Sequence, residues 1–128
     1  MRAGVDWPGG EAGSVVLVDF ILAGQSFQAL NGGPREPFND AISLSVSCED
    51  QAEVDHYWAA LSADGRAPVQ SGWLRDKFGL SWQIVPEVLP RMLRDEDEYK
   101  DKARRVMEAM MQMVKLDVAA LQEAYDGR

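Results

Sequence analysis

Two glutamines hold the same place in two similar segments of this chain. Gly24-Gln25-Ser26-Phe27-Gln28-Ala29-Leu30 aligns with Gly79-Leu80-Ser81-Trp82-Gln83-Ile84-Val85 at an offset of 55 residues. A primary amide is neutral and both donates and accepts, so Gln28 and Gln83 suit the grip of a polar ligand better than proton transfer. Amides satisfied by neighbouring strands or water explain the pair equally well. Ser43 and Ser45 alternate along one segment and add hydroxyls. No histidine or acid stands beside them, so nucleophilic serine chemistry is a poor fit. Trp73, Arg75, Asp76 and Lys77 form a polar cluster in which Lys77 or Arg75 could meet an anionic substrate; a solvated turn is the commoner explanation. Cys48 ends an apolar face and reads as a small buried hydrophobe. His56 falls opposite the apolar stripe of its segment, where exposure is expected and catalysis is not.

The elements that must carry these residues follow from periodicity. Val15–Leu22 is rich in β-branched and aromatic residues and reads as a strand, with Ala23-Gly24 as its turn and Ser26–Leu30 as the return. Asn31-Gly32-Gly33-Pro34 stops it. In Ala41–Cys48, Ile42, Leu44, Val46 and Cys48 alternate with Ala41, Ser43, Ser45 and Ser47, a strand with one apolar face. Asp50 and Glu53 are a capping pair for a helix over 51–63, whose Val54, Tyr57, Trp58 and Leu61 share a side and which Gly65 ends. Strands are expected at 67–74 and 80–85, closed by Pro86. In the last third, Tyr99, Ala103, Val106, Met110 and Val114 form a helical stripe, and Asp117 caps a final helix bearing Val118, Leu121 and Tyr125. The acidic run 95–98 sits where a helix start favours negative charge. Met107, Met110, Met111 and Met113 read as helix core or dimer contact rather than a flexible binding surface.

The chain has 128 residues, 46% hydrophobic and 27% charged, which suits one soluble domain with its own core. Its net charge of −8 repels phosphate backbones and anionic lipid, so no nucleic acid and no membrane is expected as partner. One cysteine and one histidine exclude an internal disulfide and a multi-histidine or cysteine-based metal site within one chain. The opening residues lack a signal-peptide core, and a cytoplasmic location is expected. Subtracting the repeat offset from Ala41 places the first copy's opening strand ahead of Met1. Either the sequence begins late, or another chain supplies that layer.

The segments LNGGP (30–34), AISLSVSCEDQAEVDHYWAALS (41–62), GWLRDKFGLSWQIVP (72–86) and VMEAMMQMVKLDVAALQEAY (106–125) resemble the PhnB-like branch of the vicinal-oxygen-chelate superfamily. That superfamily includes glyoxalases, bleomycin-resistance proteins and extradiol dioxygenases. The resemblance implies an α+β fold of paired βαβββ modules curled around a cup. A loose lead-in (1–13) would precede a first-module remnant lacking its opening strand and helix (14–34), a complete second module (40–86) and C-terminal helices (87–128), all in a single domain. It also implies metal-ligand positions on the first and last strand of each module, which fall here on Ala41, Gln83 and Gln28. Alanine offers no donor and neutral amides are weak ones, so neither metal nor cofactor is expected. A ubiquinone-pathway methyltransferase label attached to this branch finds no Gly-rich strand–turn–helix to support it.

The resulting expectation is a metal-free small-molecule binding protein acting as a homodimer, with Gln28, Ser43, Ser45, Trp73, Lys77 and Gln83 lining the site. Gln28 and Gln83 would face the cup, with Phe27 and Trp82 turned towards helices. The alternative is a lyase, isomerase or dioxygenase-like enzyme with a shifted metal site drawing on Asp19, Glu53 or a partner chain. A dimerisation unit whose pocket has decayed is a third reading.

Overall fold

The computed structural model describes residues 1–34, 36–65 and 68–128. The chain divides into two compact units, Met1–Pro37 and Phe38–Arg128.

The first unit is built on a hairpin of β1 (Leu17–Leu22) and β2 (Gln25–Leu30), paired antiparallel from Leu17↔Leu30 to Leu22↔Gln25. The two-residue loop Ala23-Gly24 takes φ 49° and 79°, the left-handed backbone whose twist matches a tight hairpin. The lead-in is tied to the hairpin by an Arg2–Val15 bridge, and Trp7 Nε1 donates to Ser14 Oγ (3.1 Å). Phe27 stacks on Phe20, with ring centroids 5.5 Å apart. This unit holds no helix among its described residues, and Phe27 meets its aromatic partner across the hairpin.

The second unit runs β3 (Ser43–Cys48), α1 (Gln51–Ser62), β4 (Trp73–Arg75), β5 (Ser81–Pro86), α2 (Val88–Met92), a 3-10 turn (Asp97–Tyr99), α3 (Lys100–Met111) and α4 (Val118–Asp126). Its sheet has the order β3-β5-β4, with β3 parallel and β4 antiparallel to β5. A parallel pair needs a crossover, and α1 provides it. Asp50 caps α1 by accepting from the Glu53 N–H (2.9 Å), while the Glu53 carboxylate reaches back to the Glu49 N–H (2.8 Å).

The alternation in β3 and β5 separates two faces. Cys48, Val54, Leu74 and Ile84 are fully buried between sheet and α1, with Val46, Trp58, Leu61 and Trp82 packed around them. Burying one such aliphatic side chain stabilises by about 1.5–3 kcal/mol. Ile42, expected on this apolar face, lies ahead of β3 and is 73% exposed. A second cluster of Leu89, Met92, Val106, Leu116 and Leu121 unites the C-terminal helices, and Val85 and Met110 join it. Arg105 on α3 closes the end of α4 by donating to the carbonyls of Ala124 (2.8 Å) and Tyr125 (2.9 Å). Asp117 caps its start through the Ala120 N–H (3.0 Å).

Two expectations are corrected. The strand expected at 67–74 contracts to β4, and residue 67 lies outside the described residues. Ser71 and Gly72 take φ 55° and 85°, and their N–H groups donate to the carbonyls of Met113 (2.7 Å) and Val114 (2.8 Å). The Gly72 carbonyl still accepts from the Ile84 N–H of β5 (2.8 Å), while the N–H groups of Ser71 and Gly72 turn to hold the segment after α3. At φ 85° a Cβ on Gly72 would also stand 3.1 Å from the Ile84 carbonyl oxygen, so the position favours glycine. The expected helical stripe also ends early: Val114 lies beyond α3 and is exposed, as are Met107 and Met111.

Candidate functional site

One face of the β3-β5-β4 sheet is polar. Register places Ser43 beside Ser81 and Ser45 beside Gln83, while across β5 Trp73 pairs with Gln83 and Arg75 with Ser81. Partners in register point to the same side, so these six side chains share the face away from α1. Gln83 Nε2 donates to Ser43 Oγ at 2.8 Å. Among the described residues the Gln83 carbonyl oxygen and the Ser45 hydroxyl take no side-chain partner. The face therefore combines hydroxyls, an amide acceptor and the half-buried indole of Trp73. That set offers hydrogen-bonding groups and an aromatic surface but no group that shuttles protons near neutral pH.

At its rim, Arg75 makes a two-pronged contact with Asp40, through Nε to Oδ1 (3.0 Å) and Nη2 to Oδ2. Ser81 Oγ also donates to Asp40 Oδ1. The hydrogen bond from Arg75 and then that from Ser81 pull the Asp40 carboxyl down to about 2. The same contact raises the Arg75 guanidinium above its usual range. Arg75 is thus committed to an internal carboxylate rather than open to a substrate anion. The hairpin alternation puts Arg75 on the face of Trp73, but nothing in sequence announces a partner 35 positions earlier.

Lys77 does not reach this face. Asp76 accepts from the N–H groups of Phe78 (2.9 Å) and Leu80 (3.0 Å) and from Trp82 Nε1 (3.0 Å). That knot turns the tip towards α1, where Lys77 lies over the Phe78 ring at 5.1 Å. Lys77 and Phe78 line a separate hollow of about 210 Å³ with Ala60, Leu61, Ala63 and Asp64. Gln28 belongs to the first unit, where its Nε2 donates to Asp19 Oδ1 (2.9 Å) across the hairpin. Cys48 is fully buried, and burial first, then the nearby acids Glu53 and Asp50, push its thiol pKa up. His56 is exposed and meets Tyr57 edge-on.

The positions that a metal would use do not fit one. Ala41 has no donor atom, and the Nε2 groups of Gln83 and Gln28 already donate to Ser43 and Asp19. Two neutral amide oxygens are weak ligands for a divalent cation that favours imidazole and carboxylate. No group of three or more His, Cys, Asp or Glu side chains comes together among the described residues. A methyl-donor nucleotide fares no better. The β3–α1 junction is Ser47-Cys48-Glu49-Asp50, without the glycines that let a backbone approach a dinucleotide-like ligand.

Residues 1–85 match the family described as 3-demethylubiquinone-9 3-methyltransferase. Among solved structures, the chain is similar to the PhnB protein of Bacillus cereus, which carries the same description. The two share 35% identity with a TM-score of 0.57, over 67% of this chain and 74% of that one. No curated protein matches. The mixed α+β architecture and this likeness agree with the vicinal-oxygen-chelate fold expected from the sequence.

Proposed function

This chain belongs to the PhnB-like family described as 3-demethylubiquinone-9 3-methyltransferase, and from that premise we propose that it is a metal-free small-molecule binding protein acting as a cytoplasmic homodimer. The observation that carries the proposal is the polar sheet face, where Ser43, Ser45, Trp73 and Gln83 converge without a general base or a metal-ligand set. Binding by sequestration needs hydrogen bonds and a stacking surface, and that face offers both. The methyltransferase description stays with the family and the Bacillus cereus protein, since the β3–α1 junction lacks a methyl-donor cradle.

The β1–β2 hairpin supports the dimer. Val18, Phe20 and Leu22 share one of its faces and are all exposed, while Ile21 and Leu30 on the other are 73% and 68% exposed. A two-stranded hairpin is marginal alone, and exposed apolar surface of this kind marks association. No helix among the described residues is long and apolar enough to cross a membrane.

The alternative, a metal-dependent lyase, isomerase or dioxygenase-like enzyme, has one observation on its side: the Asp19 carboxylate lies beside Gln28. Elemental analysis of protein purified without a metal-affinity step, with light scattering on the same sample, separates the two. Substoichiometric metal and a dimeric mass are expected. One metal per chain, with Tm falling on chelation, would overturn the metal-free reading, and a monomer at micromolar concentration would overturn the dimer.

A further inference from the structure

A second recess lies in the C-terminal helices, away from the polar sheet face. It holds about 200 Å³ between α2, the 3-10 turn and α4, with Arg91, Arg94, Tyr99, Gln122 and Tyr125 on its walls and Met92 below. We propose that this recess is a binding site for a small oxyanion, a phosphate or carboxylate group on a compact body.

The chain carries a net −8, so an anion finds little attraction except where cations stand together. Two of the carboxylates near the recess are answered by other cations: Asp97 pairs with Lys100, and Asp126 with Arg128 (2.8 Å). Asp95, Glu96 and Glu98 are exposed and pair with neither wall arginine. Among the described residues, Arg91 and Arg94 make no ion pair and donate no side-chain hydrogen bond. Two guanidiniums at one recess repel each other, and an oxyanion between them removes that repulsion while accepting from both planar forks.

The aromatic walls give the recess order. Arg94 lies over the Tyr99 ring at 5.8 Å, and Lys102 lies over the Tyr125 ring at 4.8 Å. A cation–π contact of this kind holds the guanidinium near the ring and leaves its N–H groups available to an anion. Gln122 is oriented as well, because its Nε2 donates to Asp126 Oδ1 (3.1 Å) and leaves its carbonyl free to accept from a protonated ligand oxygen. The size limits the occupant: drug-sized ligands fill roughly 300–1,000 Å³, and this recess is smaller.

The test is titration of the full chain with inorganic phosphate, and separately with succinate, at constant ionic strength, followed by amide and arginine side-chain NMR. The expected result is saturable shifts confined to Arg91, Arg94, Tyr99 and Gln122. Binding should weaken at least tenfold in the Arg91→Gln/Arg94→Gln double variant. Arg104→Gln, which removes an exposed cation paired with Asp101 on α3, should bind as the parent does. A response to phosphate but not succinate assigns the site to phosphate groups, and the reverse assigns it to carboxylates. Shifts that stay linear, spread over all cations, or persist unchanged in the double variant overturn the proposal.

Discussion

Replacing Gln51 with alanine tests how the C-terminal helices are held to the βα layer. Gln51 opens α1, yet its side chain reaches the linker before α4. Its Oε1 accepts from the Val118 N–H at 2.7 Å, and its Nε2 donates to the Leu116 carbonyl at 3.1 Å. Both contacts are partly buried, and Leu116 itself belongs to the helical core. At about 0.5–1.5 kcal/mol per net hydrogen bond, the loss of both costs about 1–3 kcal/mol. Alanine's better helix propensity returns only a few tenths. With a urea slope of about 1–3 kcal/mol/M for a small protein, the unfolding midpoint should fall by about 1 M at constant slope. Asp55→Ala is the control, because Gln51 also donates to Asp55, whose partner Lys115 is exposed; its loss should be clearly smaller. A midpoint shift below about 0.2 M for Gln51→Ala would refute the claim that this side chain joins the two layers.

Three further outcomes follow from the same geometry. Asp40→Asn should remove a pH-dependent contribution: the folded carboxyl sits near 2, below its ordinary 3.8. Its stabilisation is thus fully present above about pH 4 and disappears as pH falls towards 2. Tm measured from pH 2 to 5 should show parent and variant converging at the acid end, and a constant gap would contradict the Arg75 and Ser81 contacts. Leu74→Ala, at a side chain with no exposure, should cost about 2–5 kcal/mol in denaturant unfolding, and a loss below 1 kcal/mol would mean that the sheet–α1 core is packed otherwise. Cys48 should react with a thiol reagent only at the rate of opening, since the thiol is buried and its pKa is raised; prompt labelling of the folded chain would contradict that placement.

The parts legible in the sequence are those governed by local rules. The alternation of Leu44, Val46 and Cys48 with serines determines which face of β3 meets α1, and Asp50 and Asp117 mark helix starts by a side-chain geometry that spans three residues. Ser43, Ser45 and Gln83 could be placed on one face from strand alternation, whereas Trp73, read as part of a polar tip, joins them through its pairing with Gln83. What local rules miss is chemistry between distant residues. The Asp40–Arg75–Ser81 contact closes over 35 and 41 positions and leaves no periodic trace. The turn that carries Lys77 is legible, but its direction is set by Asp76 accepting from Trp82 Nε1, a tertiary choice. α2 is hidden by Pro90, which a helix tolerates in its first turn, where the missing N–H has no partner to lose. The strand before Trp73 fails because Ser71 and Gly72 bend to hold the carbonyls of Met113 and Val114, and strand propensity contains no information about that partner.

The central claim is that the polar face of the β3-β5-β4 sheet binds the ligand. It is tested most directly by amide NMR of the labelled chain against a panel of small polar aromatic and heteroaromatic compounds. The account predicts that compounds which bind shift Ser43, Ser45, Trp73 and Gln83 together, and that Gln83→Leu weakens those compounds at least tenfold. Binding that leaves these four signals unmoved, or that Gln83→Leu does not change, would contradict it.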